Sequence, residues 1–431
     1  MEHPSTAPTE IRDPIYGAVT VDSAETAVID HPSVQRLRGI RQLGFSHLPF
    51  PGATHTRYAH SLGVMNLAGR AFDICFGDKP FSTREAKRNY RHCVRLAALC
   101  HDLGHAPFSH AAEFAMPPLR ELNIRCYDPA QVAHRMDSRA THEDYTVAIL
   151  TQSSLSQTIR ENFGFLPEHV ASLVSHEVQV EDDFFVHQGY DIQCLLSQLI
   201  SSDLDADRLD YLVRDSYYTG ARYGQTDVNW LVSNMARYVD DQGRVSLALD
   251  RRALYAFDDF MIARFHMFVM VYFHQKSVAY EEMLKRYMQS TGCDYKLPSD
   301  LSEYRRTDDA HLMAHLRNSD NEWARRIVEF DPVKVVFEGL GRHGEEAFKA
   351  AEEALRVAGI DAYPVPGHGV VYGHKKPGMP PIYVVDRHRN PGHFEPVDQA
   401  TVIFERYQDE RCVSRIYVRP ENKEAALAVI G

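Results

Sequence analysis

The sequence predicts a mainly helical protein with a smaller α+β lobe at its C-terminal end, on three observations. From residue 32 to about residue 287, apolar residues recur at three- and four-residue spacing, as in 94–103, 142–150, 191–204 and 252–287. Residues 11–22 (IRDPIYGAVTVD) instead alternate around a Pro and a Gly, which predicts a short hairpin or extended arm. After about residue 330 the pattern changes again. Residues 333–337, 382–385 and 413–418 are β-branched runs that suit strands, while 345–357 and 423–430 suit helices. The expected division is a helical core with its β arm over 1–331 and an α+β lobe over 332–431. Pro, Gly or charge places loops at 48–53, 77–83, 116–118 and 177–189, with a longer one at 364–381.

The composition narrows the function classes. A chain of 431 residues that is 44% hydrophobic has ample material for a large core. Its formal net charge of -12 repels a phosphate backbone, so nucleic acid is not an expected partner. The cysteines at 75, 93, 100, 126, 194, 293 and 412 form no C-x-x-C pair, which reads as reduced thiols in a cytoplasm-like compartment. Residues 1–10 have no apolar run of a secretory signal. The apolar stretch 265–273 is broken by His266 and too short to span a bilayer, so the expectation is a cytoplasmic protein off the membrane.

The chemistry concentrates in a few stretches. CHDLGHAPFSH (100–110) sets His101 beside Asp102 and adds His105 and His110. On a helix His101 and His105 would share a face. His60 lies in THTRYAHSLGV, His142 in ATHED, and Asp203, Asp205, Asp207 and Asp210 crowd SDLDADRLDYLVRD. Imidazole and carboxylate donors suit a divalent ion such as Mn, Fe, Mg, Zn, Ni or Co, with positions left for water and phosphate oxygens. Taken singly, each signal has a plainer reading. A histidine on an apolar helix is usually a hydrogen-bonded core residue. An Asp cluster is usually a solvated face, and Arg57 alone suits a structural salt bridge. Their order and domain-scale separation shift the balance.

The set resembles the HD-domain phosphohydrolase superfamily, in the branch of the deoxynucleoside triphosphate (dNTP) triphosphohydrolases. The resemblance rests on DPIYG (13–17), QRLRGIRQLG (35–44), FPGATHTRYAHSLGV (50–64), HDLGHAPFSH (101–110), THED (141–144) and DADRLDYLVRD (205–215). It runs from residue 11 to 276, and no SAM domain is recognised. It implies a helical HD-type core with His60, His101, Asp102 and Asp207 as metal ligands. It assigns Arg57 to the α-phosphate region, His105, His110 and His142 to the catalytic surroundings, and Arg208 to the triphosphate. Gln42, Leu43, Tyr211 and Asp215 match the sugar pocket. Asp30, Gln35 and Arg38 match a guanine-reading effector site, although no lysine precedes Asp13 to hold that effector's phosphates. A homo-oligomer, dimer or tetramer, and a second Mg on the substrate phosphates are further implications.

The chemistry agrees with those assignments. Phosphoester hydrolysis needs an activated water, charge neutralisation on the phosphoryl oxygens and a proton for the leaving oxygen. A metal, Arg57 with Arg208, and a histidine supply these, with His110 the choice for the proton. Gln42 and Asp215 suit a 3′-hydroxyl, with Arg214 and Arg222 in reach to balance Asp215. Leu43 and Tyr211 suit a wall that excludes a 2′-hydroxyl, although Tyr211 and Asp215 also suit packing and capping. The loop 367–378, with Lys375 and Lys376, suits nucleotide phosphates, a neighbouring subunit or a plain surface loop. The expected reaction is metal-dependent hydrolysis of dNTPs to deoxynucleoside and inorganic triphosphate. The alternatives are an HD phosphohydrolase for a nucleoside monophosphate, a ribonucleotide or a ppGpp-like substrate, and a nucleotide-sensing module with a vestigial site.

Overall fold

The computed structural model describes residues 8–77, 81–180, 183–368, 380–390, 392–401, 403 and 413–431. The chain begins with the expected arm. Thr9–Asp13 and Gly17–Val21 pair antiparallel. Asp13 Oδ1 accepts the backbone N–H groups of Ile15 (2.8 Å) and Tyr16 (3.0 Å), which closes the turn.

The long helix Arg57–Phe76 is the centre of the core and packs on Arg84–Cys100 and Ala206–Thr219. The motif glycines have a steric cause. A β-carbon at Gly63 would collide with the Asp210 and Arg214 side chains, so only glycine lets Ala206–Thr219 come this close. Gly104 is confined in the same way by the backbone of His142 and Thr146. In THED, Thr141 caps the helix His142–Gln152, and Asp144 returns a bond to the Thr141 N–H, a reciprocal capping box. Asp205 caps Ala206–Thr219, which puts Asp207 in its first turn.

Three local expectations need correction. The helix expected over 94–103 stops at Cys100. The helix Arg84–Cys100 ends one residue before His101, the chain turns, and a 3-10 segment follows at Ser109–Ala115. His101 and His105 therefore do not share a helix face. Within 191–204 only Gln193–Gln198 is α-helical. Two strands, Met235–Val239 and Val245–Asp250, lie inside the region expected to be helical. Val245–Asp250 is buried at every position, and a strand covered on both faces has no polar alternation to reveal it.

Tyr383–Val385 runs parallel to Val245–Asp250, and Phe394–Pro396 completes this four-stranded sheet. A separate antiparallel sheet has the order Lys334–Leu340, Val413–Val418, Ala362–His368 and is covered by Gly341–Val357. Phe348, Leu355, Ile416 and Val418 form a small core there. The expected loop at 364–381 is strand up to His368, and Lys375 and Lys376 lie outside the described residues. Among the described residues, no helix is long and apolar enough to cross a membrane.

Candidate active site

His60, from the first turn of Arg57–Phe76, His101 and Asp102, just past the end of Arg84–Cys100, and Asp207 converge in the core. His60 Nε2 lies 3.0 Å from Asp207 Oδ1 and 3.8 Å from Asp102 Oδ2. His101 Nε2 lies 3.3 Å from Asp102 Oδ1 and 3.5 Å from Asp207 Oδ1. Both Nε2 atoms are buried and make no well-directed hydrogen bond. Their other nitrogens are tethered. His60 Nδ1 lies 2.8 Å from Asp210 Oδ2, and His101 Nδ1 lies 2.7 Å from the Ala98 carbonyl oxygen. An N–H at Nδ1 leaves a lone pair on Nε2, the tautomer a metal ligand needs, so the four residues fit a divalent ion.

The electrostatics agree. Burial alone would lower His60, but Asp207 and Asp210 outweigh it and raise it to about 10, a measure of how strongly this cluster attracts positive charge. Burial would likewise raise Asp102 and Asp207. Arg57, His101 and His105 hold Asp102 well below the carboxylate range, and His101 and His60 do the same for Asp207. Asp210 is locked by Arg214, which also bonds Asp13 Oδ2 at 2.8 Å. Arg214 is thus a buried brace and not a cation beside Asp215.

Arg57 joins this cluster to the neighbouring loop. It donates to Asp102 Oδ2 (2.5 Å) and to Ser109 Oγ (2.8 and 3.0 Å). Phe108 and Ser109 sit in the left-handed region, at φ 55° and 58°, held there in part because Asp309 accepts the Phe108 N–H at 2.7 Å. A histidine group follows. The His105 and His142 rings stack at 4.1 Å, and His105 Nε2 lies 3.2 Å from Asp102 Oδ1. Burial, then Arg57 and His142, depress His105 strongly, so it stays neutral near pH 7. Glu113 Oε1 bridges His110 Nδ1 (3.0 Å) and His142 Nδ1 (2.8 Å).

The remaining expected residues separate. Gln42, Leu43, Tyr211 and Asp215 line a cavity of about 640 Å³, which shares Gln42, Arg57, His110 and Tyr211 with the pocket over His101, Asp102 and Asp207. Gln42 Oε1 is buried without a partner among the described residues. Both Asp215 oxygens are engaged, by His55 Nε2 (2.7 Å) and the Tyr272 hydroxyl (2.8 Å). Arg208 is not brought to the cavity. Its guanidinium is tied to Asp205 and the Ser202 carbonyl. Arg222 lies in the short 3-10 segment Arg222–Gly224. At the effector positions, Arg38 donates to Gln35 Oε1 (2.7 Å) and covers the Tyr58 ring at 3.6 Å, while Asp30 is exposed.

Sequence reasoning left Glu113, Ser109, Asp210, His55 and Tyr272 without roles. Glu113, three residues after His110, and Asp210, three after Asp207, had a local spacing signal. Tyr272, 57 residues from Asp215, had none.

Residues 57–212 match the HD domain and residues 226–355 the HD associated region. The chain belongs to the HD-domain superfamily, whose membership supports a metal-dependent phosphohydrolase. It is 34% identical over 277 residues to the uncharacterized protein YwfO of Bacillus subtilis, covering 64% of this chain and 54% of that one. It is 33% identical over 223 residues to the deoxynucleoside triphosphate triphosphohydrolase SAMHD1 of Homo sapiens, covering 49% of this chain and 33% of that one. This chain spans about half the length of the first curated relatives it matches. A crystal structure of a hypothetical protein from Aquifex aeolicus superposes with a TM-score of 0.75 at 25% identity, covering 99% of this chain and 100% of that one.

Proposed function

We propose that this protein hydrolyses dNTPs to deoxynucleoside and inorganic triphosphate. The observation that carries the reading is the 640 Å³ cavity, which runs from the His101–Asp102–Asp207 pocket past Gln42, Leu43, Tyr211 and Asp215. A divalent ion held by His60, His101, Asp102 and Asp207 supplies water activation and charge neutralisation, with a second Mg accompanying the substrate phosphates.

The protein's own residues do the rest. Arg57, anchored by Ser109 and Asp102, binds phosphoryl oxygens at the junction of the two pockets. Glu113 orients His110 and His142, and His110 delivers the proton to the departing 5′-oxygen. Neutral His105 packs behind them and holds Asp102 in place. Gln42 Oε1 accepts from the sugar hydroxyl, and Asp215, held by His55 and Tyr272, fixes the sugar's far edge. Since Arg208 lines neither pocket while Arg57 lines both, phosphate binding falls to Arg57.

We extend the reading to a cytoplasmic homo-oligomer, dimer or tetramer, divided near residue 331. Free cysteines support the compartment, the family resemblance implies the assembly, and the small core of the sheet formed by Lys334–Leu340, Val413–Val418 and Ala362–His368 supports the lobe, although Tyr383–Val385 and Phe394–Pro396 join the core's own sheet. The test is a panel of dNTPs and NTPs with Mn, Mg, Fe and Co, read by product chromatography. Deoxynucleoside plus triphosphate is the expected outcome. Release of pyrophosphate, or preference for ATP over dATP, would overturn it.

A further inference from the structure

The distal wall of the cavity is one face of the helix Gln275–Gln289. Val278, Glu281, Glu282 and Lys285 line it, at spacings of three, four and seven residues. The charged groups on this wall are committed, with one exception. Glu282 pairs with Arg286 (2.8 Å) and Lys285 (3.6 Å). Arg415 pairs with Glu338 (2.6 Å) and donates to the Phe273 carbonyl. Glu281 has no hydrogen bond or ion pair with any described residue. Burial alone acts on it and pushes its carboxyl up to about 7. The wall around it is largely apolar, with Phe114, Phe268, Phe273 and Val278. Half-buried and facing the open cavity, this carboxylate has water for its donors until a molecule that fills the cavity displaces that water and supplies donors of its own.

A substrate with its phosphates at the histidine–aspartate cluster and its sugar against Tyr211 has only its base left to extend along the cavity. We propose that Glu281 reads that base and that the base is guanine. This rests on the deoxynucleotide reading above. Guanine presents N1–H and the N2 amino group side by side, two donors for the two oxygens of one carboxylate, a charge-assisted pair. Adenine and cytosine each set one amino group beside an acceptor nitrogen. Thymine sets its single N–H between two carbonyls that a carboxylate repels.

The test is kcat/KM for dGTP, dATP, dCTP and dTTP, with bound metal measured in parallel, for the wild-type protein and Glu281→Gln. The variant keeps shape and volume, so folding is retained. The wild type is expected to favour dGTP over dTTP by about 5- to 150-fold, the worth of one buried hydrogen-bonding pair. Glu281→Gln should collapse that preference through KM for dGTP, with dTTP turnover and metal content retained. An unchanged ratio, an equal loss on all four substrates, or wild-type preference for another base overturns the proposal. If no dNTP is hydrolysed, the deoxynucleotide reading fails by itself. Calorimetric binding of deoxyguanosine then tests Glu281 separately, and equal affinity in wild type and Glu281→Gln overturns its role.

Discussion

The two ends of the cavity are built on opposite plans. At the metal end three of the four side chains facing the centre are held by a group outside the cluster. Asp210 holds His60, the Ala98 carbonyl holds His101, and Arg57 holds Asp102. Gln42 Oε1, at the junction of the two pockets, and Glu281, at the far end, lack partners among the described residues, and the far wall is assembled from segments as distant as 42–46, 108–114, 211–215, 268–285 and 413–415. On the proposed reading, the end that performs the chemistry is set before substrate arrives, and the end that recognises substrate keeps its polar atoms for it. That is the division expected when orientation speeds a reaction and unpaired polar groups confer selectivity.

The largest effect should come from cutting the preset end. Asp207→Ala, and His101→Ala combined with Asp102→Ala, remove ligands from a cluster whose remaining members are already fixed and cannot close the gap. Bound metal and turnover should vanish together, measured by elemental analysis and a dNTP assay. Full activity in metal-free buffer would sink the assignment. The next step leaves the ligands in place. His110→Ala should lower kcat by about 10²–10⁴-fold with metal content retained, and Glu113→Gln should move kcat in the same direction through misoriented imidazoles. Loss of metal from either variant would make the histidine–Glu113 group part of the metal centre.

The contrast between the ends also explains what the sequence revealed. The metal end is written in short motifs because local geometry makes it. Asp207 follows its cap residue Asp205, His101 follows a helix end, and Gly63 and Gly104 are forced by close packing. The helical core and N-terminal hairpin were legible by periodicity for the same reason. The strand Val245–Asp250 was not, since burial on both faces erases alternation. Tyr272 and Glu281 reach the cavity only through tertiary packing, and no spacing rule links them to Tyr211 or Asp215. The helix expected over 94–103 stops short because the chain turns straight after Cys100, so His101 and His105 leave the helix that their four-residue spacing suggested.

Stability should follow the preset end too. Asp144 is buried, bonds Arg135 at 2.8 and 2.9 Å, and accepts from the Tyr127 hydroxyl at 2.7 Å. Burial would raise its pKa, but Arg135 and Tyr127 outweigh that and depress it. A depressed carboxylate contributes stability above its unfolded pKa of about 4, and the contribution is lost as pH falls through the folded value. Asp144→Asn should therefore cost roughly 3 kcal/mol at pH 7 by denaturant titration, with the gap to wild type narrowing below about pH 4. A gap that stays constant down to pH 3 would assign the loss to packing alone.

The smallest expected effect lies at the recognition end, where substitution alters choice more than rate. Tyr211 lines both pockets, and its ring meets Tyr272 edge-on at 6.0 Å, with the Tyr272 hydroxyl on Asp215. On the proposed reading, this corner would leave a ribose 2′-hydroxyl without a partner, at a cost of roughly 1–3 kcal/mol, or about 5- to 150-fold in kcat/KM. Tyr211→Ala opens the corner to water, which can solvate that hydroxyl. The dNTP-to-NTP ratio should narrow toward unity, chiefly because NTP turnover rises, while bound metal is unchanged. Parallel kinetics with dATP and ATP decide it. An unchanged ratio would mean that Tyr211 merely packs beside the sugar, and discrimination would then fall to Gln42 and Leu43 on the opposite wall.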